Sequence, residues 1–213
     1  IVFEDSQFYN QQNVCTKSKK YDPNSHCAKW IDKIQAREEW TFPDEVLNKI
    51  DDIAVSEYTR NGRLRPMINL KCEKVRSWLR KFKYVDQYDH APLLRRHITS
   101  MHGRPVVPPQ LTARERQRIL IEYELCMREF EKVTKDEEVL RRSDKKCVRN
   151  KFYYPYILWK LINLLFLKDN RRKGLLECIH LQSDGTLMRN DIVWEKICEL
   201  RGYKYMATNS NLV

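Results

Sequence analysis

One nearly continuous apolar segment, residues 149–167 with the sequence RNKFYYPYILWKLINLLFL, most constrains what this chain can fold into. It is rich in Tyr, Phe, Trp and Leu, although 32% of the residues in the whole chain are charged. A helix that is apolar on nearly every side is stable only when other elements cover it. The segment therefore predicts a central helix at the hub of a hydrophobic core. Pro155 removes one helical hydrogen bond, so this helix should begin or kink there.

Helical periodicity recurs along most of the remaining chain. Thr112 and Glu115 form a capping box for a long helix, the surest of the set. Gly202 is expected to stop the last helix. The first helix should end near Trp40, and the second should close at the Asn61-Gly62 turn. The expected helix starts are Asn24 or Ser25, Thr41 to Pro43, Asn69, Pro92, Thr112, and Asn190 with Asp191.

The sequence predicts a mainly α fold, a single helical domain with a small β-hairpin near the C-terminus. Ser183-Asp184-Gly185, inside residues 175–188, is the expected hairpin turn. The charged segment 135–146 is expected to be an exposed helix end or linker. We expect a polar lead over residues 1–20, the helical domain over 21–206 and a tail over 207–213. The chain begins at Ile1 rather than Met, so a natural N-terminus is expected to precede it.

Seven scattered cysteines include no Cys-x-x-Cys pair. Their odd number and irregular spacing favour reduced, mostly buried thiols in an intracellular protein. Cys15, His26 and Cys27 could contribute to a zinc site, but a fourth ligand is not evident and the spacing does not match common zinc modules. We therefore predict no metal and no cofactor within this chain, with zinc expected only from a module outside it.

Enzymatic motifs are scarce. The chain has only five glycines, no glycine-rich phosphate loop, no Gly-x-Ser-x-Gly and no His-Glu-x-x-His. One cluster could hold a divalent metal for phosphodiester cleavage, so a metal-dependent nuclease remains an alternative. A structural histidine at position 97 is the more ordinary interpretation. The cluster comprises Asp86, Asp89, His90, His97 and His102.

The charge balance indicates a polyanionic partner. Forty Lys and Arg against 29 Asp and Glu leave a formal net charge of +11. Double-stranded DNA is the preferred partner, through phosphate contacts that position the protein without reading base sequence. No apolar stretch is long and uninterrupted enough to predict a membrane span. Cations in the first turns of the Thr112 helix are disfavoured by the helix dipole, and binding of an external anion would explain their presence there. The plainer alternative is that these arginines lie on a solvated helix face.

The candidate nucleic-acid-binding residues lie in four predicted segments: Lys74, Arg76, Arg80 and Lys81; Arg95 and Arg96; Arg114, Arg116 and Arg118; Arg171, Arg172 and Lys173. Another basic cluster comprises Arg141, Arg142, Lys145, Lys146 and Arg149. Convergence of the clusters at Arg95, Arg114 and Arg171 on one face would favour DNA binding. Tyr153, Tyr154, Tyr156 and Trp159 could stack on bases, but their helical spacing among leucines favours core packing.

The order of several segments resembles the poxvirus-type viral late transcription factor 3 family of large DNA viruses. The resemblance covers about residues 21–205. Its successive segments are YDPNSHCAKWIDKIQAREEW, FPDEVLNKID, VRSWLRKFKYVDQYDHAPLL, PPQLTARERQRILIEYELCMREFEKV, RNKFYYPYILWKLINLL and NDIVWEKICELRGYKY.

This resemblance implies a non-enzymatic activator of late viral genes that acts with the viral RNA polymerase and other late factors at promoters. It implies an intracellular location, in the host cytoplasm (the viral factory) or the nucleus, and possible packaging in the virion. Poxvirus members carry an N-terminal zinc-binding cysteine cluster, from which this chain departs. The alternative is a scaffold or virion protein whose basic surface docks on acidic protein partners.

Overall fold

The computed structural model describes residues 23–136, 138–139 and 154–208, with side chains from residue 25 onward. In these ranges the protein is mainly α-helical, as predicted. A 3₁₀-helix covers Val85–His90, and a two-stranded hairpin pairs β1 (Thr59–Arg60) with β2 (Arg63–Leu64). The α-helices are α1 (Pro23–Ile34), α2 (Asp44–Tyr58), α3 (Cys72–Lys81), α4 (Ala91–Met101), α5 (Ala113–Val133), α6 (Tyr154–Leu165), α7 (Arg172–Glu177) and α8 (Asp184–Arg201).

The apolar hub is α6, and it is buried nearly all round. It packs against α1, α5 and α7, and α5 also packs against α1 and α8. The helix begins at Tyr154 with Pro155 in its first turn, which agrees with the prediction. Residues 149–153 lie outside the described residues. Side chains of α6 in the core include Tyr156, Ile157, Leu158, Trp159, Leu161 and Ile162. This placement puts Tyr156 and Trp159 in the core, while Tyr153 lies outside the described residues.

A second group of helices carries the surface that matters below. Helix α3 packs against α2 and α4, and the 3₁₀-helix packs against both α3 and α4. Val75, Trp78 and Leu79 of α3 are buried in the same core cluster as the α6 side chains. One face of α3 is thus held by the core, and its opposite face is free to present polar groups.

The capping box of α5 is confirmed. The Thr112 hydroxyl accepts a hydrogen bond from the Glu115 amide at 3.2 Å, and the Glu115 carboxylate accepts one from the Thr112 amide at 2.8 Å. Two of the amides that have no intrahelical partner are satisfied in this way. One face of α5 is buried in the core through Ile119, Tyr123, Cys126 and Phe130, and Met127 beside them is half-buried.

The predicted hairpin near the C-terminus is wrong. Residues 172–177 form α7, and Ser183 precedes the first turn of α8, where the Thr186 and Leu187 amides donate to the Ser183 carbonyl oxygen. Asn190 and Asp191 consequently lie inside α8 rather than at its cap. Gly202 ends α8 in the left-handed region at φ 65°, as predicted. Leu200, near the end of α8, is exposed.

The observed hairpin lies instead at Asn61-Gly62. Both residues have positive φ, 52° and 70°, the conformation that a two-residue type I′ turn requires. Thr59 pairs with Leu64, and Arg60 pairs with Arg63. The sequence predicted the turn here but not the strands on either side of it.

Two further helix boundaries differ from prediction. Helix α1 ends at Ile34 rather than near Trp40, and Ala36 just beyond it has φ 53°, which a right-handed helix cannot continue. Helix α3 begins at Cys72, not after Asn69. Its Cys72 amide donates to the Glu177 carboxylate, so a side chain 105 residues away caps this helix.

The cysteines of the described ranges are buried free thiols: Cys27, Cys72, Cys126, Cys178 and Cys198. Burial raises the pKa of Cys27, Cys126 and Cys198 to about 12. Cys15 and Cys147 lie outside the described residues. Among the helices of the described part, none combines the length and apolarity needed to cross a membrane.

Candidate nucleic-acid interface

The outer face of α3 presents a row of cations. Lys71, at the N-cap, and Lys74, Arg80 and Lys81 are all exposed. The buried stripe of α3 fixes which side faces water, so the helical period places these side chains on the solvent side. Three of these four cations belong to the predicted set, and Lys71 was not predicted.

A groove of about 810 Å³, here called the ribbon groove, separates the hairpin from α3. Its cations come from both walls, Arg60 and Arg65 from the hairpin and Lys71 and Lys74 from α3. Two acids, Glu57 and Glu73, also line it. The hairpin therefore adds arginines to the cations that α3 already exposes.

Most of the ribbon-groove cations have no acidic partner. Lys74 pairs with Glu57 at 2.5 Å, and Glu57 also accepts a hydrogen bond from the Trp78 indole at 3.0 Å. Burial opposes the ionisation of Glu57, but these two bonds outweigh it and lower its pKa. Arg60, Arg65 and Lys71 form no ion pair with any residue of the described part of the chain. Their charges remain available to an external anion.

A second groove, of about 510 Å³, lies between α3 and α7 and is here called the α7 groove. Lys71, Arg80 and Lys173 contribute exposed cations, and the buried Arg76 and half-buried His180 line it as well. The pKa of His180 is lowered by burial and by the positive charges of Arg76 and Arg80, although Asp89 opposes this shift. Acidic side chains of this groove are Glu73, Glu177 and Asp184.

The two grooves meet on α3. Lys71, Glu73 and Ser77 line both of them. The hairpin, the outer face of α3 and the start of α7 thus form one surface, here called the α3 surface. Its exposed cations without an ion pair to a described residue are Arg60, Arg63, Arg65, Lys71, Arg80, Lys81 and Lys173.

Two predicted site residues are buried, although Arg76 also lines the floor of the α7 groove. Arg76 is 6% exposed and donates to the Cys178 carbonyl oxygen at 2.7 Å. Arg95 is 4% exposed and pairs with Glu177 at 2.8 Å. Both guanidinium groups form hydrogen bonds inside the fold, because segments distant in sequence supply their acceptors. We correct the predicted interface by removing them.

Two further predicted arginines are committed to carboxylates at the surface. Arg116 contacts both oxygens of Asp32, at 2.5 and 3.0 Å. Arg171 pairs with Glu115 at 2.5 Å and with Asp169 at 2.6 Å. The hydrogen bond from Arg171 is the main cause of the lowered pKa of Glu115. These charges join helices to one another, so they are poor candidates for ligand binding.

The remaining predicted residues are distributed unevenly. Arg114 and Arg118 are exposed on α5 and form no ion pair within the described ranges. Arg96 donates to the Ala36 carbonyl oxygen at 2.9 Å, and Arg172 to the Asn163 side chain at 3.3 Å. The cluster at 141–149 lies outside the described residues. The convergence of Arg95, Arg114 and Arg171 that would have favoured DNA binding is not seen, because Arg95 is buried and Arg171 is paired with two carboxylates.

The hairpin arginines were the main omission from the prediction. Asn61-Gly62 between arginines at 60 and 63 is a strong hairpin signal, and it could have revealed a basic ribbon.

The predicted nuclease cluster is dispersed. His90 is buried, contacts Glu38 at 2.9 Å and stacks on Trp40 with ring centroids 4.0 Å apart. His102 pairs instead with Asp51 at 2.6 Å. These histidines tie loops to helices rather than gathering around one metal position.

Another set of potential metal ligands is Cys72, Glu177 and Cys178, with the two sulfur atoms 4.0 Å apart. Arg95 contacts Glu177 and lies 3.6 Å from the Cys178 sulfur, so a cation already occupies this neighbourhood. Burial raises the pKa of Cys72 well above its ordinary value, which favours the thiol over a metal-binding thiolate. The set therefore fits a structural junction better than a metal site. Of the predicted zinc candidates, His26 stacks on Tyr154.

Fold and surface define a basic, mainly helical protein with a group of exposed cations on one helix and a short ribbon beside it. The family described as Poxvirus Late Transcription Factor VLTF3 like matches residues 15–205. The chain belongs to this family of late transcription factors of large DNA viruses.

Curated relatives agree with this assignment. A zinc finger protein of African swine fever virus (isolate Pig/Kenya/KEN-50/1950) is 29% identical over 217 residues, which cover 98% of this chain and 51% of the relative. A putative transcription factor of Paramecium bursaria Chlorella virus 1 is 25% identical over 194 residues, covering 88% and 46%. The chain thus spans about half the length of the curated relatives it matches. No solved structure matches it.

Proposed function

We propose that this domain binds duplex DNA through the α3 surface while it serves late viral transcription. The observation that carries the proposal is the meeting of two cation-lined grooves on α3, where seven exposed cations have no ion pair within the described residues. Unpaired cations gathered on one side are suited to the regularly spaced phosphates of a duplex. The formal net charge of +11 supports the same partner.

The role follows from the family and from this surface together. A factor that holds promoter DNA by its phosphates can present it to the viral RNA polymerase and the other late factors. Phosphate contacts position the protein without identifying bases, so promoter choice at this surface would come from partners or from DNA shape. The proposal requires no catalytic step and no bound metal.

The test is a salt titration of duplex binding by fluorescence anisotropy. The triple variant K71Q/R80Q/K173Q removes three exposed cations of the α3 surface, whereas R114Q/R118Q removes two exposed cations of α5 as a matched control. In a plot of log affinity against log salt, we expect the triple variant to reduce the slope by about 2 to 3, since each phosphate contact contributes about 0.9. The control should reduce it by less than about 1.

Two results would contradict the proposal. One is wild-type binding that is absent or insensitive to salt. The other is a larger loss in the α5 control than in the triple variant. A variant that also changes Arg116 is a poor test, because the Arg116 side chain is paired with Asp32 of α1. Lost binding could then report lost folding.

A further inference from the structure

The hairpin carries an arrangement of like charges that the fold alone does not explain. Arg60 and Arg63 are direct cross-strand partners, and both are exposed. Like charges directly opposite one another destabilise a strand pair. Neither arginine forms an ion pair with a residue of the described ranges that would offset this repulsion. An external polyanion would offset it.

The three hairpin arginines share one face of the ribbon. Arg60 lies opposite Arg63. Arg65 directly follows β2, and its amide donates to the Tyr58 carbonyl oxygen at 2.9 Å, which continues the pairing. Side chains two positions apart in such a pairing point the same way, which groups Arg65 with Arg63. Arg60 and Arg65 both line the ribbon groove, so this face is turned toward α3. The partner bound there would contact the ribbon and α3 at once.

The dimensions of the hairpin narrow the kind of contact. Each strand has two residues, a length of about 7 Å at roughly 3.3 Å per residue. A ribbon this short cannot fill the major groove, which is about 12 Å wide. Single arginine side chains do fit a narrow minor groove, where closely spaced phosphates concentrate negative potential.

The chemistry of the cations and the shape of the tip point the same way. All three hairpin cations are arginines, whereas the exposed cations of α3 without an ion pair to a described residue include the lysines Lys71 and Lys81. A guanidinium is more weakly hydrated than an ammonium and loses less on entering a confined groove. At the tip, a Cβ added to Gly62 would meet no atom within 4 Å, so the turn projects freely.

We propose that the hairpin is a wing that places Arg60 and Arg63 in the minor groove of duplex DNA, beside the phosphates that α3 contacts. Arg65, which is nearer α2, would lie at the edge of the DNA minor groove and contact a phosphate. The inference rests on the proposed function, because it assumes that a duplex occupies the α3 surface. It adds a preference for narrow minor grooves that phosphate contacts alone would not create.

The experiment compares three duplexes of equal length with central A·T, I·C or G·C pairs. Inosine lacks the exocyclic amino group that guanine places in the minor groove, while its major-groove edge matches that of guanine. We expect the wild-type protein to bind the A·T and I·C duplexes alike and both about fivefold more tightly than the G·C duplex.

The variant R60K/R63K keeps the net charge and removes the guanidinium groups. We expect it to retain salt-dependent binding and to lose the discrimination among the three duplexes. R114K/R118K makes the same change on α5 and should leave the discrimination intact. Circular dichroism of both variants checks that the helical content is unchanged.

Other outcomes overturn the wing. Equal binding of the I·C and G·C duplexes would mean that any preference for A·T pairs is read in the major groove. Equal binding of all three duplexes would mean that the hairpin contacts only phosphates. Discrimination that persists in R60K/R63K would locate it elsewhere. In each of these cases salt-dependent binding survives, so the proposed function stands. Absence of wild-type binding to every duplex overturns both proposals.

Discussion

Two arginine-rich regions of this protein look alike in sequence and behave differently in the fold. The hairpin region exposes Arg60, Arg63 and Arg65, which have no ion pairs within the described residues. The region where α4 meets α7 directs Arg95 into the core against Glu177. The difference shows that the charge of an arginine is available to a ligand only where the fold brings no acid to it.

The region where α4 meets α7 also contributes more to holding the fold together than the hairpin region does. The Glu177 carboxylate accepts hydrogen bonds from the Cys72 amide, at the start of α3, and from the Arg95 guanidinium. Arg95 therefore helps to hold the carboxylate that caps α3. The helix that carries the candidate DNA-binding cations is positioned by a pair buried beneath it.

The sharpest way to break the comparison is to neutralise one arginine in each region. Arg95→Gln should lower the free energy of unfolding by about 3 to 5 kcal/mol, because it leaves Glu177 without its charged partner in a largely buried place. Arg63→Gln should change it by less than about 0.5 kcal/mol, as expected for an exposed residue with no partner. Urea denaturation measures both. Similar losses in the two variants would show that the regions do not differ.

A second test uses another buried pair, Lys160 with Asp191, whose charged atoms are 2.7 Å apart. Burial raises the pKa of Asp191, but hydrogen bonds from Lys160, Tyr156 and Thr208 outweigh it, so the net shift is downward. The stabilisation is therefore present above the ordinary carboxyl pKa of about 4 and is lost as pH falls through the lowered value.

We expect Asp191→Asn to lower the free energy of unfolding by about 3 kcal/mol at pH 7. The difference in free energy of unfolding between this variant and the wild type should become smaller toward pH 2. Denaturant unfolding between these pH values measures it. A gap that stays constant throughout would mean that Asp191 does not contribute through its charge.

Helix α7 carries both Lys173, an exposed cation without an ion pair to a described residue, and Glu177, the partner of the buried Arg95. A substitution that displaces α7 therefore tests how closely this helix is packed. A Cβ added to Gly174 would lie 2.7 Å from Cγ of Pro109, too close for ordinary packing. Gly174→Ala should therefore lower stability by about 1 to 3 kcal/mol. Gly185→Ala is the matched control, since nothing lies within 4 Å of an added Cβ there. Thermal unfolding that ranks the two variants the other way would exclude close packing of α7 on the 105–111 loop.

The smallest effect is expected at the partly exposed ion pairs of Arg171. Arg171→Gln removes contacts to Glu115 and Asp169 but leaves all three positions within reach of water. We expect the smallest loss of the series, and it should shrink further in high salt. Thermal unfolding at low and high salt measures it. A large loss that salt does not change would place Arg171 with the buried arginines instead.

Much of the fold could be predicted because its signals are local. The α5 capping box needs only residues three apart, and the stop at Gly202 needs only a residue that accepts positive φ. The start of α8 was mistaken because Asn190 and Asp191 resemble a cap. Asp191 is instead buried inside α8, where Lys160 of α6 supplies its partner. A contact between residues 31 positions apart leaves no local signal.

The candidate site was predicted in part for the same reason. The period of α3 is enough to place Lys74, Arg80 and Lys81 on its outer face, but it also placed Arg76 there. Only the tertiary structure brings the Cys178 carbonyl oxygen to that guanidinium. The hairpin arginines were passed over because strands of two residues give almost no periodic signal.

By itself, the sequence determined the helical class, the apolar hub, the capping box of α5 and the excess of positive charge. These depend on composition and on residues within about one helical turn of each other. The tertiary structure decided which arginines remain free, because neutralisation depends on acids and carbonyl groups that arrive from distant segments. It also brought the hairpin beside α3, joining separate stretches of sequence into one basic surface.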